Sequence, residues 1–165
     1  MTFDQFIRKL KRQMGQAFNG KFMAKIGELM VETIVERTRK GFGVDPRQRR
    51  QGVGKGKRLR ALSESYIAYR QRNSGSLDST TSPRKSNLTF TGQLLRSMRV
   101  KKATKREVIV GPNRRRRRGG RGLTNERLGE IVAEQGRPFN LLTNKDLKTL
   151  IKKLDAELKK KLQRL

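Results

Sequence analysis

The chain has no cysteine and no histidine among its 165 residues. The first absence removes disulfides and thiolate chemistry and leaves only consistency with a reducing compartment. The second removes the commonest general base and the commonest metal ligand. Tryptophan is also missing, and two tyrosines and seven phenylalanines make up the whole aromatic complement. Base stacking of the kind used by single-strand binders is therefore not expected. No run of about 18 apolar residues occurs, so no membrane partner is expected. The opening "MTFDQFIRKLKRQ" lacks a continuous apolar stretch and does not read as a secretory signal. The hydrophobic fraction is 33%, below the usual roughly 45–50%. The core should be modest, with much of the chain on the surface.

Acidic residues are scarce too, 14 against 42 Lys plus Arg, for a net charge of +28. That excess opposes compaction and favours a polyanionic partner. It is unevenly placed. Residues 1–42 carry net +5 and 122–165 net +4, whereas 43–121 hold 23 basic and four acidic side chains, net +19. Both ends read as ordinary amphipathic helices and the middle as a polyanion-facing region.

Three segments follow from this pattern: N-terminal helices over 1–42, basic flexible loops with a short helix over 43–87, and an α+β core with a C-terminal helix over 88–165. In the first, Phe3, Phe6, Ile7, Leu10, Met14 and Phe18 recur at helical spacing, and Phe22, Ile26, Leu29, Met30 and Ile34 continue it. Asn19-Gly20 either divides two helices or weakens one. The second helix should end at Gly41, with Arg37, Arg39 and Lys40 in its last turn, where the dipole favours cations. "GFGVDPRQRRQGVGKGKR", 41–58, reads as a flexible basic loop, "RALSESYIAYRQR", 60–72, as a short helix with Leu62, Tyr66 and Tyr69 on one side, and "NSGSLDSTTSPRKSN", 73–87, as a low-complexity linker.

The last segment changes periodicity. Thr91 should cap a short helix bearing Leu94, Leu95 and Met98. A hairpin follows, with strands over 98–103 and 106–111 and Gly111-Pro112 ending it. Thr124 should cap a helix that stops at Gly136. Thr143 or Asn144 should cap the final helix, whose Leu147, Leu150, Ile151, Leu154, Leu158 and Leu162 form one apolar stripe. The expected fold class is α+β, with long N- and C-terminal helices packed on a small antiparallel β-sheet and long basic loops. The Leu stripe could pack on its own domain or form an oligomer or partner interface. The stripe and the Phe face of 3–22 offer more apolar surface than a small sheet can cover, which favours a homo-oligomer.

Five consecutive arginines, Arg114, Arg115, Arg116, Arg117 and Arg118, with Arg121 close behind, form a dense phosphate ligand, because each guanidinium can bind phosphate bidentately. Arg47, Arg49, Arg50, Lys55, Lys57 and Arg58 add a second basic cluster. These twelve are the candidate contacts for nucleic acid or an acidic partner, through the backbone rather than through base identity. "GVGKGKR", 52–58, is not a phosphate loop, since Lys55 is followed by glycine rather than Ser or Thr and no apolar strand precedes it. Glu126, Glu130 and Glu134 fall on one helix face, and with Arg127 and Arg137 nearby they read as surface pairs rather than metal ligands. No nucleophile–base set or cofactor motif is present, so the chain does not read as an enzyme and no cofactor is expected.

The ordered set "TGQLLRSM", basic hairpin, "RLGEIVAEQG", Arg-Pro-Phe and "NLLTNKDLKTLIKKL" resembles the phage virion-morphogenesis or tail-completion family, the neck proteins of long-tailed phages. The likeness covers residues 86–165. It implies a structural role in tail completion and head–tail joining, as a ring, most plainly of six copies, between connector and tail. It also implies connector or stopper and tail-terminator proteins as partners, packaged DNA nearby, and a place in the virion after synthesis in the host cytoplasm. The competing reading is a basic ribosomal-type or other RNA- or DNA-binding protein, which is also small, Cys-poor and armed with Arg/Gly loops.

Overall fold

Asn19 begins the ordered framework. In a computed structural model the described residues are Gln5, Arg8, Arg12, 19–45, Arg47, 53–115 and 122–162, with side chains described to residue 156. Gln5, Arg8 and Arg12 are helical, and the apolar positions expected at 3–18 lie outside the described residues. Asn19 has extended backbone, φ −126°, and its Oδ1 accepts from the Phe22 N–H at 3.1 Å. This cap starts helix α1, Gly20–Arg39, so Asn19-Gly20 is a helix start. Met23, Ile26, Leu29, Met30 and Ile34 form its buried face. The helix stops where Gly41 turns to φ +85°, a conformation that costs glycine nothing.

The expected flexible loop at 41–58 is instead paired wherever it is described. Strand β1, Phe42–Val44, runs antiparallel to β3, Gly56–Arg58, with Gly43 opposite Lys57. Between them β2, Val53–Gly54, pairs in parallel with β6, Leu142–Thr143. The Val44 N–H donates to the Pro138 carbonyl at 2.9 Å. Long-range backbone bonds therefore order a glycine-rich segment that has little local preference of its own.

Ser63 caps α2, Glu64–Arg72, accepting from the Tyr66 N–H at 3.3 Å. Its buried residues are Ile67 and Arg70, while Tyr66 and Tyr69 face solvent. The stretch at 73–87 is likewise no loose linker. Asp78 donates its N–H to the Phe90 carbonyl at 2.7 Å, and Asn87 and Thr89 are buried. Helix α3 is only Gln93–Arg96, and its N-cap is Gly92 at φ +65° rather than Thr91, whose Oγ1 accepts weakly from the Gln93 N–H at 3.4 Å. Met98 belongs to the next strand, not to this helix.

The hairpin forms as expected, β4 Met98–Ala103 against β5 Val108–Pro112, with a register shift between Val100 and Lys102. Thr104 Oγ1 closes the turn by accepting from the Arg106 and Glu107 N–H groups, each at 3.2 Å. Gly27 lets α1 press on this ribbon, since a Cβ there would meet Val100 Cγ2 at 2.6 Å and Val108 Cγ1 at 2.9 Å. Thr124 caps α4, Asn125–Glu134, and Gly136 ends it at φ +77°. Arg137 N–H then donates to Val132 O and Gly136 N–H to Ala133 O, both at 3.1 Å, the paired bonds of a Schellman stop. Helix α5, Asn144–Leu162, opens with a reciprocal cap: Asp146 N–H donates to Thr143 Oγ1 at 3.1 Å and Thr143 N–H to Asp146 Oδ2 at 2.8 Å.

The fold is α+β, 49% helix and 17% strand. Among the described residues the strands form three two-stranded pieces rather than one small antiparallel sheet, and one of them is parallel. The core gathers Met23, Ile26 and Ile34 from α1, Leu94, Leu95 and Met98 from the middle, and Phe139, Leu150 and Leu154 from the C-terminal part. Each such side chain contributes about 1.5–3 kcal/mol by leaving water. The interface role considered for the Leu stripe is corrected here. Leu147, Leu150 and Leu154 are buried in the chain's own core and Ile151 packs against it. The side chains of Leu158 and Leu162 lie outside the described residues.

Candidate functional site

Exposed cations gather where the hairpin meets α4. The N–H of Arg115 donates to Asn113 Oδ1 at 3.2 Å and its carbonyl accepts from Asn125 N–H at 3.1 Å, so the first residues of the arginine run are tied to the start of α4. Arg114 is open to solvent and its Nε donates to Glu126 Oε2 at 2.8 Å. Lys101 of β4 donates to the other oxygen of Glu126. These two cations hold the Glu126 carboxyl below its ordinary range, Lys101 with the larger effect. With Arg99 they border a hollow of about 390 Å³. Arg99 and Lys101 lay in the alternating "MRVKKA" and were not singled out; two-residue spacing on a strand was the signal that placed them on one edge.

The first basic cluster is placed elsewhere. Lys55, Lys57 and Arg58 are exposed on and beside β3, and Arg47 is exposed beyond β1. The Arg58 guanidinium lies over the Phe42 ring, 5.8 Å from its centre. Arg49, Arg50, Arg116, Arg117, Arg118 and Arg121 lie outside the described residues.

Arg37 is not a solvated dipole partner at a helix end. It is largely buried, donates to the Leu141 carbonyl at 2.9 Å and to the Phe139 carbonyl, and pairs with Asp146. Burial lowers its pKa, with Asp146 opposing that shift. The expected pairing of the α4 glutamates is observed: Arg127 donates to Glu130 at 2.8 Å and lies 3.6 Å from Glu134. Among the described residues no cluster of three acidic side chains converges on a cation-sized space, and no helix is long and apolar enough to cross a membrane.

A second concavity, a groove of about 1020 Å³, opens between α2 and α4. Arg60, Arg70 and Arg137 contribute to its lining. Arg137 donates to the Ala61 carbonyl at 2.9 Å, and its pKa is lowered by burial first and by neighbouring Arg60 second. Tyr66 stacks on Tyr69 with ring centres 6.0 Å apart and planes 13° apart, and Phe90 meets Tyr66 edge-on at 6.4 Å. Phe90 thus joins the two tyrosines, which helical spacing had already put on one side, at an exposed edge. The chain matches no protein-family model, no curated protein and no solved structure.

Proposed function

We propose that this chain is a structural subunit of the neck of a long-tailed phage, completing the tail and joining it to the head as a ring of six copies. One observation carries the reading. The residues on which the family likeness rests are framework residues, in the likeness's own order. Gly92 provides the left-handed turn before α3, Leu94, Leu95, Ser97 and Met98 are buried behind it, Gly136 stops α4, Phe139 is fully buried, and Thr143 with Asp146 caps α5. The role is structural rather than catalytic. Its neighbours in the virion are connector or stopper and tail-terminator proteins, and the exposed cations of β3 and of the Arg99–Arg114 edge face packaged DNA or acidic subunit surfaces.

Light scattering and negative-stain imaging of the purified protein, alone and with assembled necks, test this. Rings of six and tailless heads in particles lacking the protein are the expected results. A monomeric mass throughout, with normal joining in its absence, overturns the reading. The cluster at Arg99, Lys101 and Arg114 favours a second reading, a sequence-independent nucleic-acid binder. That reading predicts DNA affinity falling steeply with salt, log K dropping by roughly 0.9 per phosphate contacted.

A further inference from the structure

Among the described residues, the groove between α2 and α4 differs in chemistry from the basic surfaces at β3 and at Arg99, Lys101 and Arg114. Its floor carries aliphatic side chains, Leu62, Leu88, Leu128, Ile131 and Val132, each only partly covered, beside polar ones such as Ser63, Thr91 and Gln93. Its rim is cationic and aromatic, with Arg60 exposed, Arg137 anchored on the Ala61 carbonyl, and Tyr66 open at one edge. Glu134 also reaches the groove, but Arg127 lies 3.6 Å from it. An occupant must therefore bring apolar side chains for the floor and negative charge for the rim.

Two kinds of occupant fit poorly. Nucleic acid would bring its phosphates to the rim, but it has no apolar side chains to cover Leu62, Leu128 and Ile131, which would stay against polar base edges. A second copy of this chain would offer its apolar ends, and both repel the rim. Residues 1–18 carry Arg8, Lys9, Lys11 and Arg12 against Asp4 alone, and residues 158–165 carry Lys159, Lys160, Lys161 and Arg164 with no acid. We propose that the α2–α4 groove is a docking site for an acidic, apolar segment of a different protein, its apolar anchors on Ile131 and Leu62 and its carboxylates on Arg60 and Arg137. The recognition mode is an apolar face laid into a groove, and the volume is at the upper end of the roughly 300–1,000 Å³ usual for small-ligand sites. The proposal is independent of the neck reading, because it needs neither a ring nor DNA.

Tyr66 and Tyr69 are the only tyrosines and tryptophan is absent, so tyrosine emission reports on this edge alone. The test selects a random 12-residue peptide display library on the full-length protein. A selected peptide is then titrated as a synthetic copy free of Tyr and Trp. The expected peptides combine at least two large apolar residues with Asp or Glu, and binding changes the tyrosine emission. Arg60→Glu and Leu62→Ser, both at the groove, should each weaken binding about tenfold or more, equivalent to about 1.4 kcal/mol. Lys148→Glu, exposed on α5 and outside the groove lining, should change it less than about twofold, as for a distant surface charge. Circular dichroism confirms that each variant is folded. Three results overturn the proposal. One is a selection yielding no peptide sensitive to both groove variants. Another is equal loss with Lys148→Glu, which would mean unspecific charge attraction. The third is displacement of the peptide by a 20-residue oligo(dT) that itself alters tyrosine emission, which would make the groove a nucleic-acid site. Normal ring assembly alongside any of these leaves the neck reading standing, and absent rings alongside specific peptide binding leave this one standing.

Discussion

Arg37 and Arg70 are both largely buried arginines near the ends of helices, and their guanidinium groups meet partners of different kinds. Arg37, in α1, meets a carboxylate, Asp146, together with two carbonyls from the stretch before β6. Arg70, in α2, is 2% exposed, yet it donates to neutral groups: the Lys85 carbonyl at 2.9 Å and Thr81 Oγ1 at 3.3 Å. Its charge lies about 6 Å from the Tyr66 and Phe90 rings. Burial lowers the pKa of both guanidinium groups, and only in Arg37 does a carboxylate oppose it. The first arrangement ties two helices of the core, and losing either member strands a buried charge. The second gathers a polar, turn-rich segment around a cation held by carbonyl, hydroxyl and π-faces, and its loss strands only neutral groups. This difference in pairing predicts that 78–90 opens more readily than α1.

The largest expected effect comes from breaking the charged pair. Asp146→Ala leaves Arg37 buried without its carboxylate and uncaps α5, so urea unfolding should show a loss of about 3–5 kcal/mol. Adding Arg37→Met should recover part of that loss; no recovery would mean that the cap, not the pair, carries the cost. Arg70→Met should cost less, about 1–3 kcal/mol, the range for neutral buried groups left without partners. Hydrogen exchange should quicken over 78–90 while α1 stays protected, and equal quickening in both would erase the distinction between framework and segment.

Gly92→Ala should cost about 1–2 kcal/mol for the left-handed backbone alone, and more because the new Cβ would collide with Asp78 and Arg96. A smaller, pH-dependent effect should come from Asp78. Thr80 donates to it from its hydroxyl at 2.6 Å and its N–H at 3.0 Å, and Arg96 pairs with it. The Thr80 bonds, more than Arg96, hold its folded pKa below the ordinary value. The contribution is therefore complete above the ordinary carboxylate range, near pH 4, and is lost as pH falls through the lower folded value. Acid should change tyrosine emission before it unfolds α1, and Asp78→Asn should remove that early step. Smallest of all is Arg114→Ser, expected within about 0.5 kcal/mol on stability because the side chain is exposed. In a DNA titration it should lower the salt slope by about one if Arg114 touches phosphate; an unchanged slope assigns Arg114 to Glu126 instead.

The sequence by itself determined α1, α4, α5 and the β4–β5 hairpin. The helices were legible because their signals are local: apolar spacing, caps at Thr124 and Thr143 and the Gly136 stop all act within a turn or two of chain. The hairpin was legible from alternation ending at Gly111-Pro112. The exposed positions of Lys57, Arg58 and Arg114 were legible from charge alone. Tertiary structure decided the rest. The described parts of 42–58 form strands because β1 and β3 pair with each other and because Pro138 and β6, some 90 residues away, supply further backbone partners. The 73–87 segment became ordered because Arg70 and Phe90 reach it from outside. Leu147, Leu150 and Leu154 of the stripe serve the chain's own core, which sequence could not decide because an apolar helix face looks the same whichever surface covers it. The same ambiguity hid Arg37, Arg70 and the groove. An arginine's letter specifies a cation and five donors, and only the fold sets whether it meets water, a carboxylate or a ring.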